Sequence, residues 1–226
     1  MGLNIEKRLS ADGSYTLFNT DYEESYHSLR DGAVQETLCK HIGPPLRCLD
    51  LFLRPKIRIL DICFGLGYNS FFTIWHYLSN GYQGEIEIYS PEKDGGIFEK
   101  LLQLTYPQDI AFLDGVEIKK ILLSLWKHGV YTQNQWKIEC FIGDALEYLE
   151  CFEIGFFDVI YQDAFSPDKN PELWSDRYFC RLFALLRENG IITTYSQKRS
   201  VRDAAERAGF AIYEIAHEGM RQSRVF

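Results

Sequence analysis

From about Lys56 onward, short apolar runs rich in β-branched and aromatic residues alternate with segments of helical period. No other feature of the chain constrains its fold as strongly, because this alternation calls for βαβ units and a mostly parallel sheet with helices packed on it. Strands are predicted over residues 57–62, 85–90, 136–142, 157–163, 191–196 and 210–216. Helices are predicted over 68–78, 96–104, 118–127, 145–149, 175–186 and 200–208. The fold class is α/β.

The first 55 residues break the pattern. Residues 7–9 and 15–19 flank Asp12-Gly13-Ser14, a turn signal that predicts a β-hairpin. Residues 33–41 then read as a helix broken at Gly43-Pro44-Pro45. The expected organisation is an amino-terminal extension over 1–55, a hairpin plus a helix, packed on a main domain over 56–226. At 226 residues the chain is long enough to bury a substantial core.

Several function classes are disfavoured by composition. No apolar stretch reaches the roughly 18 residues that span a bilayer, and no signal pattern opens the chain, so a cytoplasmic protein without a membrane partner is expected. The six cysteines form no C-x-x-C pair and the five histidines fall into no ligand spacing, so no metal is expected. A net charge of -8 argues against tight non-specific nucleic-acid binding. From Asp176 onward, however, nine Lys/Arg face six Asp/Glu. Lys198, Arg199, Arg202, Arg207, Arg221 and Arg224 could therefore form a basic face, or simply a solvated helix surface.

The most distinctive string is Asp163-Ala-Phe-Ser-Pro-Asp-Lys-Asn-Pro-Glu-Leu-Trp174. A strand that ends in an acid and opens into a Pro-rich loop puts a carboxylate at the carboxyl edge of the sheet, where open α/β folds bind ligands. The alternative is that Asp163 caps a helix or closes a turn. Upstream, a buried strand carries Asp61, a Gly-x-Gly turn at Gly65 and Gly67, and a helix start at Asn69. The dinucleotide fingerprint is not met, because no third glycine follows. Glu92, after the second strand, can accept both ribose hydroxyls, and Asp144, after the next, an adenine amino group. An acid after each of three strands suits a nucleoside without a pyrophosphate. This favours S-adenosyl-L-methionine over a nicotinamide cofactor.

Five segments carry a resemblance: Asp12-Gly-Ser-Tyr-Thr16, Tyr26-His-Ser-Leu-Arg-Asp-Gly-Ala33 with Glu36, Leu60 to Asn69, Tyr89-Ser-Pro-Glu-Lys93, and Asp163 to Trp174. Together they resemble the methyltransferase domain of the bacterial MnmC-type tRNA wobble-uridine modification enzymes, especially stand-alone forms without the FAD oxidase domain. The resemblance implies a Rossmann-like class I methyltransferase fold. It also implies methyl transfer from S-adenosyl-L-methionine to 5-aminomethyl-(2-thio)uridine at the tRNA wobble position, giving the 5-methylaminomethyl product, with the anticodon stem-loop as partner.

On this reading Asp61, Gly65, Gly67, Asn69, Glu92, Asp144 and Asp163 hold the cofactor, and Asp163 also orients the amine or takes its proton. Phe165 and Pro167 shape an apolar wall, and Tyr26 and His27 line the pocket from the extension. Trp174 stacks on the base or belongs to the core, Lys169 and Asn170 meet phosphate or cap the loop, and Arg199 and Arg202 face the tRNA. Departures are Cys63, Tyr68 and the closing segment Glu218 to Arg224. The rivals are a methyltransferase acting on a small amine and a non-catalytic nucleoside-binding module.

Overall fold

Three short antiparallel strands open the chain: β1 (Ile5–Leu9), β2 (Tyr15–Asn19) and β3 (Glu24–Ser25). β1 and β2 pair from Ile5↔Asn19 to Leu9↔Tyr15 around the Asp12 turn. A continuous helical segment follows, consisting of α1 (Ala33–Glu36), a π-helical stretch over Thr37–Ile42 and α2 (Gly43–Cys48). These come from a computed structural model that describes residues 5–216 and 222–226. Arg221 of the candidate basic face, and residues 218–221 of the closing segment, lie outside the described residues.

The prolines do not break this helical segment as the sequence predicts. Pro44 and Pro45 fall in the first turn of α2, where the missing N–H is not needed. The wider π turn, with Gly43 N–H donating to the Leu38 carbonyl, carries the chain into them.

The remaining strands are β4 (Lys56–Ile62), β5 (Glu85–Glu92), the short pair β6 (Phe112–Leu113) and β7 (Val116–Glu117), β8 (Val130–Gln133), β9 (Trp136–Ile142), β10 (Phe157–Gln162), β11 (Leu186–Thr194), β12 (Tyr213–Ile215) and β13 (Ser223–Val225). Helices between them are α3 (Tyr68–Ser79), α4 (Ile97–Leu101), α5 (Gln108–Ala111), α6 (Ile118–His128), α7 (Ala145–Leu149), α8 (Asp176–Leu185) and α9 (Arg199–Ala208). Eight strands form one sheet in the order β12-β13-β11-β10-β4-β5-β9-β8. β11, β10, β4, β5 and β9 run parallel, and antiparallel strands close both edges. This is the mostly parallel α/β architecture that the strand–helix alternation predicts, in the Rossmann-like form that the resemblance implies.

Side-chain alternation along the strands gives the sheet two apolar faces. Ile57, Ile59, Ile88 and Val159 pack with Phe71 and Phe72 of α3, Phe98 of α4 and Leu125 of α6. Leu60, Ile62 and Ile160 pack with Leu149 of α7, Phe179 and Leu182 of α8 and Ala204 of α9. Leu17, Ala33 and Ile42 join the first group, so the amino-terminal segment shares the core of the sheet. Each such side chain contributes about 1.5–3 kcal/mol on burial. No helix among the described residues is long and apolar enough to cross a membrane.

Asp12 fixes how the hairpin meets the helix. One carboxylate oxygen accepts from Ser14 N–H and Oγ, at 3.0 and 2.6 Å, and the other accepts from the N–H groups of Val34 and Gln35, at 3.0 and 3.2 Å. The turn residue thus caps α1 from a distance, and Gly32 leaves room for it, since a Cβ there would overlap the carboxylate at 1.9 Å. Asp12→Ala is expected to destabilise the protein by about 1–2 kcal/mol, seen as a lower midpoint in thermal or urea unfolding. An unchanged midpoint would show that the cap contributes nothing.

Candidate active site

β4 and β10 are adjacent and parallel, with Tyr161 opposite Asp61 and Gln162 opposite Ile62. Cys63 and Asp163 therefore leave the sheet side by side. From β4 the chain adds β5 and then β9 on one side, and β10 and β11 lie on the other. The carboxyl ends of β4 and β10 thus mark the topological switch point, the place where an open α/β sheet leaves a crevice.

Left-handed backbone at Cys63, Gly65 and Gly67, with φ of 69°, 53° and 74°, makes the loop after β4 turn sharply. Gly65 donates its N–H to Glu92 Oε2 at 2.9 Å, and a Cβ on it would press on the Tyr26 ring at 3.2 Å. Gly67 does not line the crevice; a Cβ there would run into the Phe71 and Phe64 rings at 2.5 and 2.9 Å, so it serves packing. Cys63 holds a conformation that suits glycine, at a strain of about 1 kcal/mol. Tyr68, the other departure, donates its hydroxyl to the Tyr15 carbonyl and ties α3 to the hairpin.

The crevice is a cleft of about 320 Å³. Among its lining residues are the carboxylates Asp21, Glu92, Asp94, Asp144, Asp163 and Glu172, against one lysine, Lys93. Glu92, the last residue of β5, is buried and accepts from Gly65 N–H and, through its other oxygen, from Asp94 N–H at 3.0 Å. Burial pushes its pKa up to about 7 against these hydrogen bonds. Asp144 accepts from Leu146 N–H at 2.8 Å and so caps α7, while still lining the cleft. Such an acidic wall repels phosphate and favours a cation.

Asp163 lines this cleft and also a second cavity of about 620 Å³. Its Oδ2 accepts from Asn69 Nδ2 at 2.8 Å, and its Oδ1 lies 3.3 Å from Nε2 of the fully buried His41. His41 Nδ1 in turn meets Thr193 Oγ1 at 2.8 Å. Asp61, with 0% exposure, sits beneath and accepts from Asn69 Nδ2 and Ser70 Oγ, at 3.2 and 2.7 Å. Burial, joined by the nearby Asp163 charge, pushes Asp61 up to about 7. Neither Asp61 nor Asn69 lines the cleft; both sit behind its wall and support Asp163.

The other predicted residues separate in space. Tyr26, Phe165 and Asn170 line the cleft; His27 and Pro167 line the second cavity. Lys169 lines neither and pairs with Glu23 at 3.1 Å. Trp174 is 5% exposed, packs in the core and donates its indole N–H to the Phe165 carbonyl, so it is not free to stack on a base. Arg199 and Arg202 line neither cavity. Arg199 pairs with Asp203, Arg202 with Asp203 and Glu206, Arg207 with Asp176, Arg224 with Glu214, and Lys198 with Asp168. The described part of the basic face is therefore interleaved with acids.

Sequence reading passed over His41. Its signal was a polar run, Glu36, Thr37, Lys40 and His41, in a helix with buried apolar neighbours, whose polar groups must find partners inside.

The donor set fits S-adenosyl-L-methionine. Glu92 occupies the N–H that a phosphate would need, and carboxylates surround the space that a sulfonium and an ammonium would fill. A family model described as S-adenosyl-L-methionine-dependent methyltransferase matches residues 116–225. The fold and the match together define an S-adenosyl-L-methionine-dependent methyltransferase. The crystal structure of MnmC2 from Aquifex aeolicus superposes with a TM-score of 0.82 at 31% identity, covering 99% of this chain and 70% of that one. An uncharacterised protein of Methanocaldococcus jannaschii is 30% identical over 214 residues, 93% of this chain and 56% of its own length. The tRNA 5-methylaminomethyl-2-thiouridine biosynthesis bifunctional protein MnmC of Leptospira interrogans is 30% identical over 219 residues, 90% of this chain and 32% of its own. The chain thus spans little more than half of one curated relative and about a third of the other. It belongs to the MnmC family of S-adenosyl-L-methionine-dependent methyltransferases.

If Glu92 receives the ribose hydroxyls, Glu92→Gln should weaken cofactor binding about 10- to 150-fold, from the roughly 1.5–3 kcal/mol of a bond to a charged acceptor. Hydroxyl donors prefer the ionised carboxylate, and burial pushes the Glu92 pKa up to about 7. Affinity should therefore rise with pH through that value and level off above it, and the variant should lose this dependence. Calorimetric titrations across the neutral range measure both effects. A variant with wild-type affinity would remove Glu92 from the site.

Proposed function

We propose that this chain methylates the primary amine of 5-aminomethyl-(2-thio)uridine at the wobble position of tRNA. The supporting observation is that one carboxylate, Asp163, lines both an acidic nucleoside cleft and a second cavity. The biosynthetic role named for the Leptospira relative supports the choice of nucleoside. In this reading Glu92 and Asp144 hold the cofactor's ribose and adenine, and Tyr26 and Phe165, 5.0 Å apart between ring centroids, cover the cleft. S-adenosyl-L-methionine supplies an electrophilic methyl group when bound.

Asp163 orients the amine. One oxygen accepts from Asn69 Nδ2 and the other lies 3.3 Å from His41 Nε2, so the carboxylate has a set position before substrate arrives, as in-line attack requires. Pro167 and His27 line the cavity that receives the base. Lys198 at its rim is the candidate phosphate contact; Arg199, 84% exposed on its side chain, stands farther out and is held only by a weak surface pair.

A second reading is methylation of a small amine. The net charge of -8 and the acid-paired arginines favour it, because they leave little unopposed positive charge for an RNA backbone. Transfer of labelled methyl to tRNA carrying 5-aminomethyluridine, followed by nucleoside analysis, separates the two. Label in 5-methylaminomethyluridine is expected; label only in small amines would replace the tRNA reading with the second.

Asp163→Asn is expected to lower turnover about 100-fold or more and to leave cofactor affinity within a few-fold. Turnover near wild type would refute the assignment. Equal losses in turnover and affinity would make Asp163 a cofactor ligand instead.

A further inference from the structure

A buried charge cluster lies in the wall of the second cavity. Lys40 Nζ lies 2.8 Å from Glu36 Oε1 and 3.1 Å from Asp31 Oδ2. Glu36 Oε2 accepts from Ser28 N–H at 2.9 Å and stands 3.6 Å from Nδ1 of His27. The His27 ring meets Tyr68 edge-on, with centroids 5.2 Å apart, and its backbone N–H is held by Thr16 Oγ1. Its orientation is thus fixed by the hairpin, the helical segment and α3. Nδ1 is buried without a hydrogen-bond partner. His27 lines the cavity that Asp163 also lines, and with Nδ1 turned toward Glu36 it is Nε2 that remains to meet a ligand.

We propose that His27 is a further catalytic residue, accepting through Nε2 a proton from the ammonium form of the substrate amine while Asp163 holds the nitrogen and Glu36 stabilises the imidazolium. The inference rests on the amine-methylation reading. An alkylammonium has no lone pair with which to attack, so a base must act first. A carboxylate is poorly matched to that task, ionising near pH 4, whereas an imidazole ionises near 6.5 and lies closer to an amine. In the step, the N–H bond breaks, its electron pair stays on the substrate nitrogen and the proton passes to Nε2. The proton then leaves for water through the open cavity, which restores the neutral ring.

The surroundings favour that exchange. Glu36 and Lys40 face His27 from the helical segment, Asp31 from its own loop, Asp163 and Asp61 from the ends of β10 and β4, and Tyr68 from α3; Tyr195, Glu24 and Lys198 complete the cavity wall. Asp31, Glu36 and Asp163 against Lys40 leave the inner wall anionic, which draws in an ammonium. Burial works against the imidazolium, but Glu36 and Asp163 outweigh it and raise His27 above its ordinary pKa. Burial likewise opposes the Glu36 charge, yet His27 and Lys40 hold that carboxyl well below the usual range.

The test compares kcat for wild type and His27→Asn on aminomethylated tRNA across pH, with cofactor affinity measured by calorimetry. The variant should lose about 100-fold in kcat at neutral pH. It should recover as pH rises toward the pKa of the amine, regain part of its activity with added imidazole, and bind cofactor within a few-fold of wild type. A variant that matches wild type in kcat and in pH profile overturns the inference while leaving the amine reading intact. A wild type that binds S-adenosyl-L-methionine but methylates no primary amine overturns both. Should His27→Asn not fold, nuclear magnetic resonance titration of the wild-type ring decides. Proton uptake by His27 within the neutral range, moved to lower pH by Glu36→Gln, supports the role, and a ring that never titrates there overturns it.

Discussion

The pairing of β4 with β10 at the switch point is the constraint on which the site depends. Because these strands are parallel neighbours in register, the loops after them emerge together, one turning through glycine and the other opening on Asp163. A carboxylate in that position needs a partner if it is to stay in one place, and Asn69 of α3 donates to it, while the His41 ring of the helical segment lies 3.3 Å away. Thr193 on β11 fixes His41, and Asp61 and Thr37 fix Asn69. Thr37, Asn69, Asp61 and Ser70 therefore form one linked network under Asp163, the arrangement by which a buried polar cluster gives rigidity.

The same network explains why the amino-terminal residues matter to a sheet that begins at Lys56. Asp12 caps the helix that carries Glu36, Lys40 and His41, and Glu24 accepts from Ser166 N–H and Oγ in the Pro-rich loop. Tyr22 stacks on Phe165 and Tyr26 meets it at a tilt in the cleft wall, with centroids 4.9 and 5.0 Å away. A ligand in the cleft would thus be enclosed by rings from both ends of the sequence, which excludes water from the region of Asp163.

Much of this was legible in the sequence where the signal is local. β9 and α7 fall on their predicted bounds because a period-2 run passes through Gly143-Asp144 into a capped helix, and the first hairpin follows from its turn. Other features depend on contacts between distant residues. His41 reaches Thr193, Trp174 finds a carbonyl at Phe165 and turns inward, and β13 slips between β11 and β12 as three residues without a period of their own. Asp61 was readable as an acid at a strand end, but only its bonds to Asn69 and Ser70 place it behind the cleft wall. A basic residue count likewise could not reveal that Arg199, Arg202 and Arg207 each face an acid.

The central claim is that Asp163 stands between a cofactor cleft and a substrate cavity. It is tested most directly by a crystal structure with S-adenosyl-L-homocysteine and 5-aminomethyluridine bound together. The predicted result is adenosine against Glu92 and Asp144, the nucleoside in the cavity lined by His27 and Pro167, and its amine within about 3 Å of an Asp163 oxygen on the side facing the cofactor sulfur. A nucleoside bound away from that cavity, or an amine out of reach of Asp163, would contradict the account.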